Sequence, residues 1–108
     1  MKQLCFLINP TSHWRAASDH THALCHSTQK QGHQVSAVFF YGQAAYIATD
    51  YEQQNKWSSL AIDNLFICRT MLDHYQIDVA LADNTFKIIG MAPWVVLMEQ
   101  SDRIIEIV

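Results

Sequence analysis

The sequence predicts an α/β fold: one domain over residues 1–108, a three-layer sandwich with a mostly parallel sheet of about five strands. Three observations carry this. The runs "LCFLI", "VSAVFFY" and "LFIC" are short, apolar and without polar alternation, as in strands buried on both faces. Segments of helical spacing or polar composition lie between them, and strands alternating with helices build a parallel sheet. The chain has 108 residues, half of them hydrophobic, enough for a core without metal or disulfide staples.

Leu4–Ile8 is the first strand, stopped by Asn9-Pro10. "NPTS" makes a turn in which Thr11 or Ser12 can cap the next helix. Through that helix Trp14, Ala17, Thr21, Leu24, Cys25 and Thr28 recur at helical spacing. "KQGH" ends it, with Gly32 suited to the left-handed C-terminal position. Val35–Tyr41, rich in β-branched and aromatic residues, is the second strand. "GQAAYIA" reads as a short helix or an ordered loop, and "TDYEQQNKWSS" as a loop or the approach to a helix. "LFIC" is the third strand and "RTMLDHYQ" a helix. "DVALADNTFKIIG" combines a helix end, a loop and a short strand. In "MAPWVVLMEQS", Met91, Trp94, Val95 and Met98 follow the i, i+3, i+4, i+7 spacing, and Pro93 is tolerable in a first turn. "DRIIEIV" is the last strand. No repeat, linker or low-complexity tract interrupts the unit.

The net charge of −3 and the lack of a basic stripe argue against nucleic-acid binding as the main role. No apolar stretch reaches membrane-spanning length. The apolar run after Lys2 is too short for a signal peptide, so a cytoplasmic location is expected. Only 16% of residues are charged, which hints that part of the surface is covered by other subunits. The three cysteines, Cys5, Cys25 and Cys68, are widely spaced without a C-x-x-C, which fits neither a disulfide framework nor a four-cysteine zinc site.

Cys68 is the first candidate for chemistry. It ends the third strand, and in open α/β sheets the carboxyl ends of strands and the loops after them hold the sites. The next helix's N-terminus and Arg69 favour a thiolate, the nucleophilic form. The alternative is a buried cysteine acting as a small hydrophobe. Cys5 and Cys25 read as core. Tyr41 and Tyr46 bracket "GQAA" beyond the second strand; they either line a pocket over the thiol or cover the core and a subunit contact. "HTHALCH" offers His20, His22, Cys25 and His26, and the pair His22/His26 has a spacing that can hold zinc or nickel. On a helical wheel that pair faces solvent while Cys25 faces the core, so exposed histidines are the simpler reading. His13, His33 and His74 have no evident ligand partners. The "NPTSHWR" turn can offer N–H groups to an anion but lacks the glycines of a P-loop or dinucleotide turn.

With these residues laid out, the chain resembles the DsrE/DsrF family of sulfur-relay proteins, most of all its DsrE/TusD branch. The resemblance rests on "GHQVSAVFFYGQAAYIA" (32–48), "NLFIC" (64–68) and "MEQSDRIIEIV" (98–108), in the same order as in the family. It implies a persulfide-carrying cysteine at Cys68 that accepts sulfane sulfur from a donor protein and passes it to the next carrier. It also implies homo- or hetero-oligomers, commonly hexamers, and no cofactor. The resemblance leaves open whether the pathway is tRNA thiolation, sulfur oxidation or another. Departures are the shorter segments 48–64 and 68–90, "NPTS" in place of a glycine-containing loop, and Arg69-Thr70-Met71 where small residues often follow the cysteine. Two alternatives to the carrier remain: a non-catalytic scaffold subunit of the same fold, and a histidine-based metal protein.

Overall fold

The computed structural model describes residues 1–78 and 85–108. Its elements in chain order are β1 (Gln3–Ile8), α1 (Trp14–Lys30), β2 (Gln34–Phe40), a 3-10 segment (Gly42–Thr49), α2 (Tyr51–Ser58), β3 (Leu65–Cys68), α3 (Arg69–His74), β4 (Phe86–Ile89), α4 (Met91–Gln100) and β5 (Arg103–Ile107). The strands form one sheet in the order β4-β3-β2-β1-β5, and every pairing is parallel. The α/β sandwich expected from the alternating runs is therefore the fold. Part of "DVALADNTFKIIG", residues 79–84, lies outside the described residues; its strand is β4.

Strand alternation divides the core in two. Phe6, Ile8, Val38, Phe40, Leu65 and Ile67 face a layer made by α1, the 3-10 segment, α2 and α3. Cys5, Ala37, Phe39, Phe66 and Cys68 face the other side, where α4 packs through Trp94, Leu97 and Met98. Val35 and Val38 share a face although they are three residues apart, which a regular strand forbids. The register explains it: Leu4 pairs with Val35 but Cys5 with Ala37, so Ser36 is an extra residue, a bulge that resets the alternation.

The first helix begins later than "NPTS" suggests. His13, in the left-handed region at φ 53°, is its N-cap and makes no side-chain capping bond, so neither Thr11 nor Ser12 has that role. The turn is engaged elsewhere: Asn9 N–H donates to Ile107 O at 2.8 Å, and Gln43 N–H to Pro10 O at 3.3 Å. Gly32 has φ 85°, as expected at the helix end.

The polar segment after Thr49 is a helix, not a loop. Asp50 caps it, accepting from Gln53 N–H at 3.0 Å while Arg15 Nε donates to its other oxygen at 2.7 Å. The helix docks on α1 through hydrogen bonds. Buried Trp57 donates to Ser18 Oγ and Ser18 to Gln53 Oε1, each at 2.8 Å. Gln53 Nε2 and Lys56 Nζ both donate to Asp19, also at 2.8 Å. Its polar composition is thus the composition of its contact.

Pro93 lies in the first turn of α4, as its helix requires. The buried face of α4 is narrower than the sequence spacing implies: Trp94 is buried and Leu97 and Met98 partly so, while Met91, Val95 and Val96 are exposed. None of the helices among the described residues is long and apolar enough to cross a membrane.

Candidate functional site

Cys68 is the last residue of β3 and the N-cap of α3, so strand passes to helix with no intervening loop. That junction places it at the C-terminal edge of the sheet. Across the β3–β4 pairing Cys68 stands beside Ile89. Across β2–β3, Phe39 pairs with Phe66 and Phe40 with Ile67, the last paired residues, and Tyr41 follows Phe40 as Cys68 follows Ile67. The hydrogen bond from Tyr41 N–H to Ile8 O, 2.9 Å, continues the sheet through this residue. Tyr41 and Cys68 belong to the same α4-facing cluster, with Phe39, Phe66, Trp94, Met71, Ile89 and Met98. Phe39 joins its parts: its ring centroid lies 5.0 Å from Trp94 and 5.9 Å from Tyr41.

Cys68 has no exposed surface. Its side chain makes no capping bond to α3, whose first-turn backbone N–H groups lack intrahelical partners, as at any helix start. Arg69 opens α3 with an exposed side chain. Tyr46 meets α3 further along the chain. It stacks on Tyr75 at 4.9 Å between ring centroids, within the 3-10 segment whose Ala44, Ala45, Ile47 and Ala48 pack into the opposite layer. Of the two tyrosines, Tyr41 packs in the thiol's layer, while the 3-10 segment that carries Tyr46 packs its alanines and Ile47 on the α1 side.

The other cysteines have settled environments. Cys25 is buried in the α1 layer, and burial pushes its thiol up to about 12. Cys5 is hydrogen-bonded: Sγ lies 2.7 Å from Ser101 Oγ and 3.4 Å from Ser36 Oγ, joining β1, the bulge and the end of α4. Asp102 completes this corner, exchanging bonds with Gln3 through its backbone N–H (2.8 Å) and its carboxylate (2.7 Å).

The histidine cluster does not converge. His22 Nε2 lies 3.0 Å from Lys56 O and its ring meets the Trp57 ring edge-on at 5.2 Å, whereas His26 is exposed. Burial lowers the His22 pKa, disfavouring its charged form. No group of three His, Cys, Asp or Glu side chains among the described residues is placed to hold a metal. A cavity of about 430 Å³ opens at the "NPTSHWR" turn, between His13, His20 and Val108. Another of about 440 Å³ lies at the amino-terminal edge of the sheet, lined by Gln3, His33, Gln34 and Asp63 among others. Neither is lined by Cys68.

Trp94 is the site residue that the spacing alone does not distinguish. The sequence shows it as one of several apolar positions on α4, and only packing reveals that it roofs the thiol cluster.

A parallel α/β sheet with a cysteine at the carboxyl end of an inner strand, under one helix, defines a class of small thiol-bearing domains. Within that class the chain belongs to the DsrE/DsrF-like family, which matches residues 2–107. None of the curated proteins matches it. Among solved structures, a conserved protein of unknown function from Bacteroides thetaiotaomicron is similar to it, with a TM-score of 0.73 and 12% identity over 98% of this chain and 95% of that one. At that identity the likeness concerns the fold.

Proposed function

We propose that this protein is a sulfur carrier in a relay: Cys68 accepts a sulfane sulfur from a donor protein, holds it as a persulfide and passes it to an acceptor protein. The supporting observation is that the one cysteine at the carboxyl edge of the sheet is also the one onto which the family resemblance maps the carrier thiol. In the step, the Cys68 thiolate attacks the outer sulfur of a donor persulfide. An S–S bond forms at Sγ, the donor's S–S bond breaks, and the donor leaves as a thiolate. The free N–H groups of α3 and the Arg69 guanidinium stabilise the anionic sulfur. Tyr41 packs in the same cluster as the thiol and shapes its surroundings, and Tyr46 supports it indirectly through the segment that follows Tyr41. The exchange calls for no metal or organic cofactor.

The buried thiol requires its cover, α4, to yield during exchange. The exposed apolar residues of α4 and Ile104 on the edge strand β5 suit an assembled form, with a hexamer as the form the resemblance implies. A reducing, cytoplasmic setting suits three unpaired cysteines. One observation favours a second reading, a scaffold subunit that keeps the fold and does not use the thiol: Cys68 has no exposed surface.

Intact-protein mass spectrometry after brief exposure to inorganic polysulfide separates the two. A carrier gains one sulfur, loses it to a reductant, and gains none as Cys68→Ser. No gain in the wild type, with Cys68 also slow to alkylate in the folded protein, sinks the carrier reading and leaves the scaffold.

A further inference from the structure

We infer that the indole N–H of Trp94 is the hydrogen-bond donor for the outer sulfur of a Cys68 persulfide, an inference that rests on the sulfur-carrier reading. Trp94 is fully buried, and its Nε1 has no hydrogen-bond partner. Buried donors are nearly always paired, and buried tryptophans usually find an acceptor. Trp57, equally buried, obeys the rule by donating to Ser18. The empty donor of Trp94 marks the place of an acceptor that the resting protein does not supply.

A thiol of its own buried cluster is Cys68, under the same helix. The Trp94 ring packs on Phe39, and Phe39 pairs with Phe66. The next residues on this face toward the carboxyl edge are Tyr41 and Cys68. Cys5, the other thiol of this layer, is engaged by Ser101 and Ser36. Cys5 Sγ also meets Leu97 O at 3.8 Å, so its hydrogen-bonding capacity is already engaged by α4 and β2. Thioethers such as those of Met71 and Met98 are weak acceptors, as is a neutral thiol. A persulfide differs in two ways. Its outer sulfur extends about 2 Å beyond Sγ, the length of an S–S bond. It also carries negative charge, and hydrogen bonds to charged acceptors are the strong ones. An anionic sulfur in this apolar layer needs such a donor.

Inorganic hydrodisulfide (HSS⁻) is the probe. The Cys68 thiolate attacks its outer sulfur, the Sγ–S bond forms, the S–S bond of the probe breaks, and HS⁻ leaves, so one negative charge remains on the persulfide. The indole N–H signals of ¹⁵N-labelled protein are followed by NMR, with mass spectrometry on the same sample. Contacts to Phe39 assign the Trp94 signal without a variant. The expected result is a gain of one sulfur with a downfield move of the Trp94 indole proton, while those of Trp14 and Trp57 stay in place and reductant reverses the change. A sulfur gain with the Trp94 signal unmoved overturns the inference and leaves sulfur carriage standing. A signal already at a hydrogen-bonded position before loading, as a bound water gives, overturns it too. No sulfur gain removes the carrier reading and the inference with it, and the mass measurement tells the two failures apart. Trp94→Phe keeps the ring and removes the donor; its persulfide should release sulfur to glutathione about tenfold more readily, the worth of one charge-assisted hydrogen bond. Equal retention in the two proteins also overturns the inference.

Discussion

Replacing Gly42 with alanine tests the junction that sets Tyr41 at the rim of the site. Gly42 has φ +55°, and a Cβ there lies 2.5 Å from Asn9 Oδ1 and 3.1 Å from Pro10 O. The left-handed backbone costs a non-glycine residue about 1–2 kcal/mol. Displacing the Asn9 amide from its rotamer adds about 1 kcal/mol. The total of roughly 2–3 kcal/mol corresponds to a Tm lowered by about 8–12 °C, taking ~4 °C per kcal/mol for a domain of this size. Gly32 is the internal control, because its φ is +85° and nothing lies within 4 Å of an added Cβ, so Gly32→Ala carries the backbone cost alone. Urea unfolding of Gly42→Ala, Gly32→Ala, Asn9→Ala and the double variant Asn9→Ala/Gly42→Ala separates the two contributions. Removing the Asn9 amide should recover about 1 kcal/mol of the Gly42→Ala loss as a coupling energy. If Gly42→Ala costs no more than Gly32→Ala, or the double variant recovers nothing, the close packing of the two turns is not what makes glycine necessary.

Four further predictions concern the α1 layer and the helix docked on it. Ser18→Ala strands the Trp57 N–H and Gln53 Oε1 in the interior and should cost roughly 2–4 kcal/mol, measured by urea unfolding with tryptophan fluorescence as the probe. Asp50→Ala removes the α2 cap and should cost about 1–2 kcal/mol. The bond from Arg15 holds the Asp50 carboxyl below its ordinary value, so its charge stabilises the fold above about pH 3.9 and loses that effect as pH falls further; the stability difference between wild type and Asp50→Asn should shrink in that acid range. Burial raises the Cys25 thiol from 9.0 to about 12, so between those values the unfolded chain releases a proton that the folded one keeps. Stability should therefore fall as pH rises above 9, and Cys25→Ala should flatten that decline in denaturant titrations at pH 8 and 10.

The inner strands were legible because burial on both faces leaves short, β-branched and aromatic apolar runs such as "VSAVFF" and "LFIC". The helix Tyr51–Ser58 was less so, because it is held by Ser18, Asp19 and a cap, and hydrogen-bonded contacts leave no apolar stripe to read. The bulge at Ser36 is equally silent, since an extra residue shows only against a partner strand. For the site, the place of Cys68 followed from strand order and length. Its burial did not, because a strand end fixes an edge but not what covers it, and the cover begins at Met91, well beyond it in the chain. The surroundings of Tyr46 were not legible for a related reason: nearness in sequence to Tyr41 says nothing of the side on which the 3-10 segment packs.

The cover also joins the two readings of the protein more closely than their chemistry suggests. Trp94, Leu97 and Met98 seal the thiol layer from within, while Met91, Val95 and Val96 on the same helix are exposed. The same helix thus lies on the thiol cluster with one side and is open to a partner on the other. On the carrier reading a protein donor therefore reaches Cys68 by acting on α4, so partner binding and thiol access are one event. On the scaffold reading the same contact would be made with the thiol still closed. On the carrier reading the isolated chain therefore already takes up sulfur from a small donor, and a partner acting on α4 raises that rate; on the scaffold reading neither happens.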